Sequence, residues 1–153
     1  NADEITYRIK HYWQPYHDQI SATIAEMKAK FGQAVLLEAH SILSHVPRFF
    51  EGQLPDFNFG TANGESCSAQ LIAEINQLDL APYSKTTNGR FKGGFITRQY
   101  GSPSNNVHAV QLELSQHTYM KEPNPAYDES LASQVKPKLE QLVNCLIRFA
   151  QDK

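Results

Sequence analysis

Apolar residues recur at Ile5, Ile9, Tyr12, Tyr16, Ile20, Ile24, Met27 and Phe31, in steps of three or four. That spacing lays them along one face and predicts a long amphipathic helix from Asp3 to Phe31. Pro15 falls inside it and is expected to kink or split it, because proline removes a backbone donor and clashes with the preceding turn. Gly32 is the natural stop. The run Ala34 to Ala39 is short, apolar and preceded by glycine, which favours a buried strand with His40 at its end. From His40 to Asn63 glycines and prolines punctuate the chain, leaving one short strand at Phe57 to Phe59. Ser66 to Leu78 reads as a helix with Leu71, Ile72, Ile75 and Leu78 inward. A glycine-rich basic loop, N-G-R-F-K-G-G, follows, and then Val107 to Leu114 alternates as a strand does. Leu131, Val135, Leu139, Leu142, Leu146 and Phe149 give Glu129 to Gln151 a helical stripe, with Pro137 as a second irregularity.

Helices interleaved with buried strands predict an α/β domain: a parallel or mixed sheet flanked by helices. The length of 153 residues fits a single domain, taken as residues 3–153. Asn1-Ala2 stands where an initiator methionine is expected and reads as a cloning remnant on a piece of something longer. A net charge of -2 with 20% charged residues gives no general affinity for nucleic acid or membrane. Cys67 and Cys145 are far apart and form no C-x-x-C pair, so neither a disulfide framework nor a cysteine-built zinc site is expected. With no signal peptide and no membrane-length apolar run, a cytoplasmic protein with reduced thiols is the simpler expectation.

Three features could carry chemistry. His40 lies at a strand's carboxyl end, where side chains of an open α/β sheet leave the packed layer. Imidazole is the commonest metal ligand, and Glu38, two residues earlier on the same strand face, could orient its second nitrogen. For a lone histidine, one that merely caps a strand end with no metal is the more economical reading. Glu113 sits near the end of a largely apolar strand, where an unpartnered carboxylate costs several kcal/mol. It reads either as half of an ion pair or as an active-site carboxylate with a tuned pKa. The third feature is charge: no acidic residue occurs between Asp79 and Glu113, whereas Lys85, Arg90, Lys92 and Arg98 all do. Such a segment reads as an anion site or as a solvated basic loop, with single-stranded nucleic acid a third reading given Phe91, Phe95 and Tyr100. His11 and His17 are expected at the surface, and His45, His108 and His117 in surface or structural roles.

The stretches Y-W-Q-P-Y-H, A-H-S-I-L-S-H-V-P-R-F-F, G-Q-L-P-D-F-N-F-G-T, N-G-R-F-K-G-G-F-I-T-R-Q-Y-G and H-A-V-Q-L-E-L-S-Q-H-T-Y-M together resemble the C-terminal part of N-formylglutamate amidohydrolases. The resemblance implies hydrolysis of N-formyl-L-glutamate to formate and glutamate, as in histidine degradation, on a fold similar to zinc carboxypeptidases (phosphorylase/hydrolase-like). It implies a divalent metal, zinc, ligated by His40, with Glu113 as the base that activates water. Arg90, Arg98, Asn88 and Arg48 become candidates for binding the substrate's carboxylates. The sequence departs from the family pattern at Glu38 and Leu43, where aspartate and arginine are usual. The resemblance further implies a preceding half that supplies the other metal ligands, so these residues alone are expected to be inactive. Two competing readings are a non-catalytic domain that binds an acidic small molecule through Arg90, Lys92 and Arg98, and an amidohydrolase for another N-acyl amino acid.

Overall fold

The computed structural model describes residues 1–122 and 126–152. Helix α1 (Ala2–Arg8) is capped by the Asn1 side chain, which accepts from Glu4 N–H, and runs into a π-helical turn at Ile9–Trp13 and then α2 (Gln14–Phe31). The widened turn lies immediately before Pro15. The α-helical pattern is thus interrupted next to the proline, as the sequence suggests, with a π-turn joining α1 to α2 and accommodating the lost donor. Gly32, left-handed at φ 84, ends the helix with its N–H on the Lys28 carbonyl. The apolar face predicted for this helix is largely in solvent: Ile5, Ile9, Tyr12 and Tyr16 are exposed, and only Ile20, Ile24 and Met27 are half-buried.

Strand β1 (Ala34–Ile42) extends past Ala39, so His40 lies within the strand rather than beyond it. Strand β2 (Phe57–Gly60) is followed by a 3-10 turn at Ala62–Gly64. Helix α3 (Ala69–Gln77) begins later than expected because Ser68 is its cap, its hydroxyl accepting from Leu71 N–H. Next come β3 (Lys85–Thr87), a short helix α4 (Phe95–Tyr100) that the basic loop had concealed, and β4 (Val107–Ser115). A two-stranded hairpin, β5 (Met120–Lys121) with β6 (Ala126–Tyr127), leads into α5 (Glu129–Gln151). Pro137 does not interrupt α5: it and Ser133, whose carbonyl loses its donor, are both on the exposed side of the helix, where the lost bond costs least.

The sheet order is β1-β4-β2-β3, with β1 parallel to β4, β2 antiparallel to β4 and β2 parallel to β3, a mixed sheet in an α/β fold. Strand β4 is central and all nine of its residues are buried. One face of the sheet carries Val110, Leu112, Leu114, Phe57 and Phe59, which pack with Leu71 and Ile75 of α3 and Val135, Leu142, Leu146 and Phe149 of α5 into the core. His108 belongs to this face, its ring edge-on to Phe149 and its Nδ1 accepting from Ser68 N–H. The opposite face is polar toward the carboxyl ends of β1 and β4, and α4 packs across those two strands.

Candidate active site

Register builds the site. In the parallel pair β1–β4, Glu38 stands opposite Gln111 and His40 opposite Glu113. Partners across a ladder share a face and alternate residues repeat it, so the four side chains form a two-by-two array on the side away from the core. The same rule carries Ser41 to the other face, where its hydroxyl meets Tyr119 OH at 2.7 Å and not His40. The antiparallel pairing of β2 adds Asn58 opposite Glu113 and Gly60 opposite Gln111.

Gly60 explains how the loop is seated. A Cβ built there would lie 2.7 Å from the Lys92 carbonyl carbon and 2.9 Å from Gly93 Cα, and closest of all to Gly93 N. The glycine loop therefore rests directly on the strand, with Ala62 N–H on the Lys92 carbonyl at 2.6 Å. Gly94 then brings its N–H to Gln111 Oε1 at 2.6 Å, and α4 follows. Asn88, left-handed at φ 55, accepts from Thr61 N–H at 2.8 Å and Asn63 N–H at 3.3 Å and donates to Thr61 Oγ1 at 2.8 Å. Both ends of its amide hold the base of the loop that carries Arg90.

Within the array, Glu38 is divided between two partners. Its Oε1 lies 3.0 Å from His40 Nε2, while Oε2 accepts from Thr97 Oγ1 at 2.6 Å and Thr97 N–H at 3.2 Å. The Glu38 side chain is 10% exposed and that of His40 is 48% exposed, so the carboxylate is the fixed member of the pair and the imidazole reaches solvent. Glu113 is 6% exposed. Its Oε2 accepts from Gln111 Nε2 at 3.2 Å. Burial pushes its carboxyl above the ordinary 4.5; the His40 charge and the Gln111 bond oppose this, and the Glu38 charge adds to it. A half-exposed imidazole beside a buried carboxylate of raised proton affinity is an arrangement suited to moving a proton at the sheet's carboxyl edge.

The loop that Gly94 ties to this array, and the segment packed against that loop, carry the cations. Arg48, Arg90, Lys92 and Arg98 are exposed and enter no ion pair among the described residues. Arg98 donates Nη1–H to the Gly93 carbonyl at 2.5 Å, which fastens α4 back onto the loop. Phe50 meets Phe91 edge-to-face at 6.3 Å and so draws the Arg48 segment against the Arg90 loop.

One sequence expectation about the histidines changes. His17 is buried rather than at the surface: its Nδ1 lies 2.5 Å from Tyr100 OH, its ring stacks with that of Tyr100, and Trp13 and Phe95 close around it. It fastens α2 to α4, a contact between residues 83 apart that spacing along one helix could not reveal. His117 pairs with Asp56 at 2.6 Å, a structural role. Ser44, His45 and Glu122 also meet, but the Glu122 carboxylate holds the serine hydroxyl rather than the imidazole, which is not the order of a nucleophilic triad.

A catalytic zinc site needs three protein ligands and an open position. Among the described residues no group of three or more His, Cys, Asp or Glu is disposed to hold a metal. His40 and its neighbouring carboxylates do not complete such a site. No described helix is long and apolar enough to cross a membrane.

The family model of N-formylglutamate amidohydrolase matches residues 1–120. The N-formylglutamate deformylase of Pseudomonas aeruginosa is 46% identical over the whole chain, and that of Pseudomonas putida 44%. The chain spans 59% and 58% of the lengths of these two relatives. The crystal structure of N-formylglutamate amidohydrolase from Ralstonia eutropha superposes with a TM-score of 0.76 at 24% identity, over 97% of this chain and 54% of that one, a likeness of fold. The motifs, the match over residues 1–120 and the identity to these relatives agree, and the chain belongs to the N-formylglutamate amidohydrolase family.

Proposed function

We propose that this chain contributes the general base and the carboxylate-binding loop to an enzyme that hydrolyses N-formyl-L-glutamate to formate and L-glutamate. The observation that carries the reading is the in-register pair His40 and Glu113 at the carboxyl edge of parallel strands, beside a basic loop tied to Gln111 whose cations enter no ion pair among the described residues. The substrate is a dianion, and two cationic contacts fix its orientation: Arg90 and Arg98 take these roles, with Arg48 brought near by the Phe50–Phe91 contact. Asn88 serves by holding the Arg90 loop in shape.

Glu113 accepts a proton from the attacking water as its oxygen bonds to the formyl carbon. The same proton passes to the leaving amine as the C–N bond breaks, releasing formate and glutamate. A carboxyl whose proton affinity burial has raised is suited to both transfers. In this reading His40 would be one ligand of a divalent metal, zinc by analogy with other amide hydrolases, which when bound would supply Lewis-acid polarisation of the amide. The described residues do not supply the rest of that ligand set, so the chain by itself is inactive.

Formate release from N-formyl-L-glutamate by the complete gene product containing this chain tests the reading, with Glu113→Gln and His40→Ala as variants. Each is expected to lower kcat by roughly 100-fold or more. Turnover by the Glu113→Gln variant at the unsubstituted rate would exclude Glu113 as the base. N-acetyl and longer N-acyl glutamates, assayed alongside, decide the acyl preference.

A further inference from the structure

We propose that Gln111 is a positioning residue that locks the carboxylate-binding loop to the base with a single amide group. The inference rests on the reading of Glu113 as the base.

Gln111 lies on β4 between α4 and Glu113 and is 5% exposed. Its orientation is not free. The Gly94 N–H can only donate, so the amide must present Oε1 to it, at 2.6 Å. That leaves the NH2 group for Glu113 Oε2, at 3.2 Å. One end of the side chain therefore registers the loop that runs from Asn88 to α4, and the other holds one carboxylate oxygen. Glu113 Oε1 remains the oxygen able to take a proton.

Two further contacts show that the joint is built tightly. A Cβ on Gly94 would lie 3.3 Å from Gln111 Oε1, close enough to crowd the amide, and 3.6 Å from Glu38 Oε1, in ordinary contact with the carboxylate. Glu38, the neighbour of Gln111 across the ladder, grips Thr97 of α4 while reaching His40. Loop and helix are thus fastened to the array at two adjacent points. Gln111 is the one that touches the base, and its acceptor and donor have separable consequences.

Two variants of the complete gene product separate them. Gln111→Met fills the volume but can neither donate nor accept; Gln111→Glu keeps an acceptor for Gly94 N–H and sets a second carboxyl against Glu113 in place of the amide donor. We measure kcat and KM for N-formyl-L-glutamate and, by calorimetry, the Kd for L-glutamate, the product. Gln111→Met is expected to raise KM and the product Kd about tenfold and to lower kcat about tenfold or more. Gln111→Glu should leave KM and Kd within about twofold while kcat falls at least about tenfold. The proposal is overturned if Gln111→Glu leaves kcat unchanged, or if both variants alter only the melting temperature. Glu113→Gln is the separate control: if it turns over normally the base assignment fails, whereas the product Kd of Gln111→Met still reports on the loop.

Discussion

Gly60→Ala offers the sharpest test of how the loop is held. One methyl group is added, yet the atoms it meets are the backbone of Lys92 and Gly93, at 2.7 and 2.9 Å for the nearest carbons, and backbone cannot rotate away as a flexible side chain does. The loop must lift. Overpacking of this kind costs about 1–3 kcal/mol. Lifting the loop also strains two bonds made over 2.6 Å, Ala62 N–H to the Lys92 carbonyl and Gly94 N–H to Gln111 Oε1, worth about 1 kcal/mol each. The expected destabilisation is about 2–4 kcal/mol, which for a chain of this size lowers Tm by roughly 5–15 °C. Gly32→Ala is the matched comparison. Its φ of 84 is left-handed but nothing lies within 4 Å of the added methyl, so only the conformational cost of about 1 kcal/mol applies. Urea titrations and thermal melts of both variants of the complete gene product, with kcat/KM for N-formyl-L-glutamate, give the answer. A Gly60→Ala protein within about 0.5 kcal/mol of the parent, or one no less stable than Gly32→Ala, refutes the seating of the loop on β2.

His17→Phe keeps the ring stack but removes the imidazole from the Tyr100 hydroxyl, leaving it only the residue 17 carbonyl at 3.2 Å, and should cost about 1 kcal/mol in a urea titration; no loss would show that the α2–α4 joint is not formed. Burial lowers the His108 pKa from its ordinary 6.5, so the unfolded chain binds a proton first as the medium is acidified. Stability is retained above 6.5 and lost as the pH falls through the depressed folded value. His108→Asn keeps an acceptor for Ser68 N–H and should flatten that part of a stability-against-pH curve; an unchanged slope would contradict the assignment. Burial pushes the Cys67 thiol up to about 12 and also raises Cys145, so peptide mapping should find neither alkylated at neutral pH until the protein is unfolded.

The periodicities that made β4 and α5 readable are those of elements packed against one core, where apolar side chains must recur at the element's own repeat. Glu113 was legible for the same reason: a carboxylate in an otherwise buried strand stands out against its neighbours. The polar array was only half legible. Glu38 and His40 share a face by alternation within one strand, but their pairing with Gln111 and Glu113 depends on a register between strands that no local pattern encodes. Helix α4 was hidden because its six residues carry Arg98, Gln99 and Tyr100 outward or half-buried, with only Thr97 fully inside, too little for a stripe. The first helix misled in the opposite sense, since a regular apolar spacing gives a helix whether or not anything in the chain covers it. His17 was missed because its meaning lies in Tyr100, across the fold.

The joint between α2 and α4 also contains the chain's single tryptophan. Trp13 lies tilted against His17, ring centroids 4.1 Å apart, and 6.2 Å from Phe95, the residue that follows Gly94. An indole placed there is a natural optical gauge: its emission responds to the nearby imidazole and to any shift of α4, one residue from the peptide that Gln111 holds. Anions that engage the basic loop could thus be followed by fluorescence without a label, with Trp13→Phe as the blank.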